Sequence, residues 1–316
     1  MVDYHRWKNK KKSVFSYKEK PSFINKDVSI KKIILGTVQF GLNYGINNQS
    51  GKISEEQSFV ILNQAYRSGI ERLDTSDNYG NAIKVIGRYH HASHKIFKIL
   101  NKFSFLDNDK NIVRKVDNSL KILGINIFDV YSYHSFKDFI DNHELQGILM
   151  KLKKQKLINK IGISVYSNQE FEIAINSEII DVIQIPYNIF DNYNKRGVLI
   201  ARAKHNGKEI HIRSIFLQGL FFLNERNIFS KLRPLMPYLR KIKDFCKKQN
   251  ISVNELALTY AISNPDINGV LIGVDSIEQL TENLNCLKSE HTQVITKFVE
   301  TLDVKETELL NPVNWK

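Results

Sequence analysis

Residues 33–45 read IILGTVQFGLNYG. An apolar, β-branched run that ends on glycine is the pattern of a buried strand entering a turn. Gly36, Gly41 and Gly45 do not have the G-x-G-x-x-G spacing of a dinucleotide-binding turn. In that motif a helix opens directly on the glycines, whereas here the next helix signal comes only at Ser54, in S-E-E-Q. Periodicity alone leaves an open, doubly wound sheet in play; this first turn argues against it.

Working outward, strand-like runs begin at Ile33, Arg72, Phe97, Asp129, Lys160, Asp181, Glu209 and Gly269. Helix-like segments alternate with them over residues 54–68, 109–123, 139–157, 168–176, 236–249 and 253–263. Gly69 and Gly124 stand where helix C-termini are expected. Strands alternating with helices imply parallel βαβ units. Eight of them predict a closed (β/α)₈ TIM barrel in one domain, residues 30–316, behind a basic N-terminal extension, residues 1–29. The gap between the seventh and eighth strands, about residues 215–268, is a long loop expected over the C-terminal face, where ligands bind in such barrels.

The bulk numbers agree with a globular protein: 316 residues, 42% hydrophobic and 25% charged. The net charge is +13, and residues 1–29 hold eight Lys/Arg against three acids. No arginine-rich, aromatic-interleaved patch accompanies this charge, so no nucleic-acid partner is expected; a basic surface can instead attract an anionic substrate. The two cysteines, Cys246 and Cys286, have no metal-ligand or disulfide spacing. With no apolar run after the N-terminal lysines and no long apolar stretch, neither a signal peptide nor a membrane span is expected. The expected location is cytoplasmic, with no metal site.

The chemistry should lie where strand ends break the apolar rule. Strand two ends in LDTSDNYG, with Asp74 and Tyr79; strand three in LNKFS, with Lys102; strand four in YSYHS, with His134. Each has an ordinary reading alone: a cap, a pocket-wall aromatic, a solvated lysine, a core histidine. Neighbouring strand ends of a barrel converge, so together they deliver an acid, a phenol, an ammonium and an imidazole to one mouth. A phenol, with pKa about 10, is a poor acid at neutral pH. An adjacent ammonium is expected to lower it, a carboxylate to fix that ammonium, and the imidazole to orient the substrate oxygen.

The stretches LGTVQFGLNYG, GIERLDTSDNYGNAIKVIG, LNKFS, FDVYSYHS, INKIGISVYS, VIQIPYNIFD and LIGVDSIEQLTENL, over residues 31–287, resemble the aldo/keto reductase superfamily. The resemblance implies an NADPH- or NADH-dependent oxidoreductase with Asp74, Tyr79, Lys102 and His134 as its tetrad. It implies a cofactor site formed by Gly36, Thr37, Asp74, Ser164 and Gln184. Arg213, Ser214, Phe216 and Gln218 of the strand-seven loop would continue it, and Gly273, Asp275, Ser276, Gln279, Glu282 and Asn283 would hold the adenosine end. Gln39, Phe40, Tyr44 and His134 would meet the substrate, with Phe216, Phe221 and Phe222 adding apolar area or merely packing the loop.

Three positions depart from the family pattern. Val165 follows Ser164 where many members have Asn. Arg213 stands where many stack a tyrosine on the nicotinamide; it implies guanidinium stacking or recognition of an acidic substrate or a phosphate. Asp275 and Gln279 stand where NADPH-preferring members often carry Lys or Arg, so NAD(H) is expected to be tolerated or preferred. The variants resemble a bacterial branch found near surface-polysaccharide and nucleotide-sugar genes, which points to a sugar-derived carbonyl substrate. Two alternatives stay open: a non-catalytic or regulatory nicotinamide-binding subunit, and a bound cofactor used for sugar epimerisation or elimination without net redox. The sequence leaves the oligomeric state open.

Overall fold

The computed structural model describes residues 26–48, 51–104 and 112–315. Eight parallel strands close into a barrel in the order β1 to β8. They are β1 Ile33–Gly36, β2 Arg72–Ser76, β3 Lys98–Phe103, β4 Phe128–Tyr133, β5 Ile158–Ser164, β6 Val182–Pro186, β7 Glu209–Arg213 and β8 Gly269–Ile272. Every expected strand is present, and the fold is the (β/α)₈ barrel. The β7–β8 seam rests on His211 opposite Gly269 and Ile212 opposite Val270. The β4–β5 seam is longer, running from Phe128 opposite Ile158 to Tyr133 opposite Ile163.

Strand period two explains what faces where. Ile34, Leu100, Val130 and Val182 form a small apolar cluster apart from the main core, with Leu271 packed on it; alternation turns these side chains into the barrel. Their neighbours, such as Leu35, Ile99, Tyr131 and Ile183, join the main core between sheet and helices. Below the inner cluster Glu209 meets Arg72 at 3.6 Å and also pairs with Lys160. Above it, the same alternation carries Asp74, Lys102, Ser132, Ser164, Gln184 and Arg213 to the C-terminal rim.

The helices are α1 Lys26–Lys32, α2 Val38–Gly41, α3 Glu55–Arg67, α4 Ala82–Ser93, α5 Ile112–Leu123, α6 Phe136–Asp141, α7 His143–Lys154, α8 Asn168–Asn176, α9 Tyr193–His205, α10 Met236–Gln249, α11 Val253–Ser263, α12 Ile277–Asn285 and α13 Thr292–Glu300. The Ser54 capping box forms as read: the Gln57 N–H donates to Ser54 Oγ at 3.2 Å, and Gln57 Oε1 accepts from the Ser54 N–H at 3.3 Å. The helix expected over 139–157 is instead two. Asn142, at φ −124° and ψ 71°, leaves the helical region, and its side-chain amide donates to the Asp138 carbonyl, in competition with the backbone ladder.

The helix expected over 109–123 is described from Ile112, since residues 105–111 lie outside the described part. Most of the expected extension, residues 1–25, also lies outside it, while α1 already spans residue 29. Lys32, at the end of α1, donates to the carbonyls of Ile262 and Asn264 at the C-terminus of α11. Among the described residues no helix is long and apolar enough to cross a membrane, and no cluster of His, Cys, Asp and Glu is arranged to hold a metal.

Candidate active site

The β2, β3 and β4 ends bring the four expected residues together. Lys102 and Asp74 are each 3% exposed and form a direct ion pair. Asp74 Oδ2 also accepts the Gln184 amide at 3.0 Å, across the barrel from β6. The Lys102 ammonium lies 5.3 Å from the centre of the half-buried Tyr79 ring. The Tyr79 and His134 rings meet edge to face with centroids 6.0 Å apart.

Local structure sets these positions. Buried Thr37 gives both its N–H, at 3.0 Å, and its hydroxyl, at 2.9 Å, to the Asp74 carbonyl. Thr37, expected at the cofactor, therefore secures the backbone that carries Asp74. Tyr79 follows a turn in which its N–H donates to the Ser76 carbonyl at 3.0 Å. Helix α2 presses on that turn. A Cβ built on Gly41 would lie 1.7 Å from the Tyr79 carbonyl oxygen, so only glycine allows the approach.

Two residues of the site are absent from the sequence reading. Ser76 Oγ lies 3.0 Å from His134 Nδ1 and accepts the Asn78 N–H at 3.2 Å. The Tyr166 ring lies 4.1 Å beneath the Arg213 guanidinium. Ser76 is the inward residue at the end of β2, so strand alternation alone marks it. Tyr166 directly follows the unusual Val165, and nothing in its spacing distinguishes it.

The electrostatics correct one expectation. Burial and the Asp74 carboxylate push the Tyr79 phenol well above its usual range, while Arg213 draws it down. The Lys102 ammonium is in direct contact with the Asp74 carboxylate and stands farther from the Tyr79 ring. Burial pulls the Lys102 ammonium down and Asp74 opposes this. Burial and the Lys102 charge depress His134 to about 4, so its imidazole is neutral at physiological pH.

The remaining expected residues divide by what they touch. Ser164 and Gln184 stand opposite one another at the ends of β5 and β6. Gln184 Oε1 and Asn283 Oδ1 are buried without a hydrogen-bond partner. Residues 214–219 carry Ser214, Leu217 and Gln218 at positive φ, at 60°, 46° and 53°. Such strain in side-chain-bearing residues is characteristic of ligand-binding loops. Phe216 is half-buried and packs on Phe222 at 5.4 Å. A Cβ on Gly273 would lie within 2.7 Å of the Gln39 amide nitrogen, so the Gln39 side chain packs directly on this glycine. Gly36 lies in the rim beneath it, paired with Asp74.

Asp275 accepts from Asn48 at 3.2 Å, and its N–H donates to Gln279 Oε1 at 2.8 Å. Ser276 caps α12 by accepting the Gln279 N–H at 3.3 Å. Glu282 is exposed, with Asn254 at 3.5 Å, so on α12 it is Asn283 that faces inward. Tyr44 is 40% exposed and its hydroxyl accepts from Gln218 at 3.1 Å. Phe40 and Phe221 pack in the apolar core, each 1% exposed, and leave no open face to line a pocket.

A nicotinamide dinucleotide fits these residues. Its carboxamide and adenine amino groups are donors, and Gln184 Oε1 and Asn283 Oδ1, two of the buried acceptors without a partner, need donors. The strained 214–219 segment lies between them along the rim.

The aldo/keto reductase family pattern matches residues 32–303. The chain is 24% identical over 257 residues to L-galactose dehydrogenase of Arabidopsis thaliana, covering 74% of this chain and 79% of that one. It is 23% identical over 292 residues to L-glyceraldehyde 3-phosphate reductase of Escherichia coli strain K12, covering 78% and 84%. A crystal structure of a thermostable aldo-keto reductase in complex with the inhibitor epalrestat superposes with a TM-score of 0.63 at 22% identity, covering 84% of this chain and 94% of that one. With the barrel in place and the family pattern spanning nearly the whole described chain, this protein belongs to the aldo/keto reductase family, NADPH- or NADH-dependent oxidoreductases of carbonyl and alcohol groups.

Proposed function

We propose that the protein reduces the carbonyl of a small, sugar-derived aldehyde or ketone, or oxidises the matching alcohol, with Tyr79 as the group that gives or takes the proton. The observation that carries this reading is the meeting of Tyr79, His134 and the Lys102–Asp74 pair at one end of the barrel. The sugar-related names of the relatives support the substrate class.

The bound nicotinamide supplies or accepts the hydride. The chain's own residues do the rest. The alkoxide forming on the substrate is more basic than an ordinary phenolate and takes the Tyr79 proton as the hydride arrives. Ser76 Oγ already accepts the Asn78 N–H and has its own proton to give to His134 Nδ1. The neutral ring then offers Nε2–H to the substrate oxygen, which orients the carbonyl and stabilises charge as it develops. Lys102 holds a positive charge beside the phenol in a site shielded from water, and Asp74 and Gln184 hold the ammonium in place. Gln184 and Asn283 would accept from the nicotinamide carboxamide and the adenine, and Ser214 to Gln218 would wrap the phosphates.

Asp275 accepts from Asn48 and forms no ion pair with a Lys or Arg among the described residues, which supports tolerance of or preference for NADH. Far tighter binding of NADPH than of NADH in a titration refutes that. The two unpaired cysteines support a cytoplasmic setting.

The test is transfer of deuterium from 4-deuterated NADH or NADPH to a panel of sugar aldehydes and ketoses. Tyr79→Phe should lower kcat by about 10²-fold or more while leaving cofactor affinity unchanged. Turnover at the wild-type rate in that variant overturns the mechanism. Product formed without net cofactor consumption identifies the epimerising alternative instead.

A further inference from the structure

We propose that Arg213 is a specificity-determining residue that binds an anionic group, a carboxylate or a phosphate, carried by the carbonyl compound that the Tyr79 site reduces. This rests on the carbonyl-reductase reading above and names the substrate class within it.

Arg213 is the last residue of β7 and stands opposite Pro186 on β6, two residues beyond Gln184. Strand alternation turns it inward on the rim that carries Asp74 and Lys102. One face of its guanidinium lies on the Tyr166 ring at 4.1 Å, which fixes the plane and leaves the edge donors free to point. Its hydrogen bonds are two long ones to neutral oxygens: Ser214 Oγ at 3.3 Å and the Val165 carbonyl at 3.4 Å. A guanidinium has five N–H donors, so most of the fork is unused.

No carboxylate among the described residues pairs with it. Other partly or fully buried arginines here do have one: Arg72 meets Glu209, Arg196 meets Asp191, and Arg202 meets Glu172. A half-buried cation without a counter-charge costs stability, and its retention points to a partner that arrives with the ligand.

The charge balance of the rim agrees. Asp74 neutralises Lys102 by direct contact, and His134 is neutral. Arg213 is therefore the uncompensated charge, close enough to act on Tyr79, Lys102 and His134. A planar fork anchored on an aromatic ring suits the two oxygens of a carboxylate or phosphate. The basic chain, at +13, favours the approach of such a substrate.

The experiment compares matched substrates that differ in charge. Succinic semialdehyde is set against butanal, and glyceraldehyde 3-phosphate against glyceraldehyde, under saturating NADH or NADPH. Wild-type kcat/KM should favour the charged member of at least one pair by about 10- to 100-fold, mainly through KM, and the preference should shrink with salt. The pair that shows it tells carboxylate from phosphate. Arg213→Gln should erase the preference by lowering kcat/KM for the charged member about 10- to 100-fold more than for its neutral counterpart, and Arg213→Lys should retain part of it. Calorimetric titration of the cofactor-saturated protein with succinate and with glycerol 3-phosphate gives a readout independent of turnover.

Equal wild-type kcat/KM within both pairs overturns the proposal without using any variant. So does an Arg213→Gln variant that loses cofactor affinity and acts equally poorly on all four substrates, because Arg213 then serves the dinucleotide. Failure of the carbonyl-reductase reading looks different: Tyr79→Phe keeps full turnover whatever the charge preference.

Discussion

Gly41→Ala puts packing and helix propensity in direct opposition. Gly41 closes α2, and in a helix alanine is favoured over glycine by roughly 1 kcal/mol. Propensity alone therefore predicts a slightly more stable protein with unchanged activity. The structure predicts the reverse. The added Cβ would sit 1.7 Å from the Tyr79 carbonyl oxygen, where ordinary contact begins at 3.4 Å, so α2 and the Tyr79 turn must part by about 1.7 Å. Helix α2 starts directly after Thr37, whose N–H and hydroxyl grip the Asp74 carbonyl, so it has little room to retreat. The Tyr79–Gly80 turn is the part that moves. A 1 Å misplacement of a reacting group costs about 10²-fold in rate. The expected result is a kcat lowered by about 10²-fold or more, a nearly unchanged cofactor Kd, and about 1–3 kcal/mol lost in denaturant unfolding from overpacking. Steady-state kinetics, cofactor titration and urea melts on one preparation measure all three. A variant with wild-type kcat and a raised unfolding midpoint refutes the argument that this contact positions Tyr79.

Asp74→Asn leaves a buried ammonium without its carboxylate and should cost about 3–5 kcal/mol in chemical unfolding, and the double variant Asp74→Asn/Lys102→Met should regain most of it; equal stability of the single variant and the wild type counts against the pair as drawn. His134 takes up its proton only near pH 4 in the folded protein, against 6.5 for the free group, so folding expels a proton between those values. Its contribution to stability is complete above about pH 6.5 and is lost as pH falls toward 4, and His134→Gln should flatten that part of the stability–pH curve. The carbonyl-reduction rate should likewise show no ionisation near pH 6.5 from this residue; an inflection there that disappears in His134→Gln contradicts a neutral, buried imidazole.

The sequence displayed the barrel because its strands are short, β-branched and punctuated by polar ends, and Asp74, Tyr79, Lys102 and His134 lie at those ends. Helices were less legible where tertiary pairing scrambles their periodicity. In α9 the charged Arg196 is buried against Asp191 while Val198 is 73% exposed, so an apolar stripe cannot be read. Helix α4 contains His90, 1% exposed, whose Nδ1 lies 2.8 Å from the Leu123 carbonyl, a core role that looks polar in sequence. Within the site, residue types were readable and their partners were not. Nothing in Gln184 or Ser76 announces that one will reach Asp74 across the barrel and the other will meet the His134 ring. The direction of the Tyr79 shift was hidden for the same reason. It depends on the burial of Tyr79 and on the nearby Asp74 carboxylate, which local spacing does not encode.

The β7–β8 ladder, with two paired positions, is the shortest seam of the barrel and is expected to open before the others. Residues 214–268 carry the chain away from the wall before β8 returns, and that return is fastened to β7 through His211–Gly269 and Ile212–Val270. Opening free energies vary across a protein, and amides in a seam this short exchange through sub-global fluctuations. Amides between β4 and β5, where the ladder is longer, wait for global unfolding. Arg213 and the strained loop that follows it adjoin this seam, while Asp74, Lys102 and His134 stand on β2, β3 and the end of β4, so hydrogen exchange should show earlier opening beside Arg213 than beside Lys102.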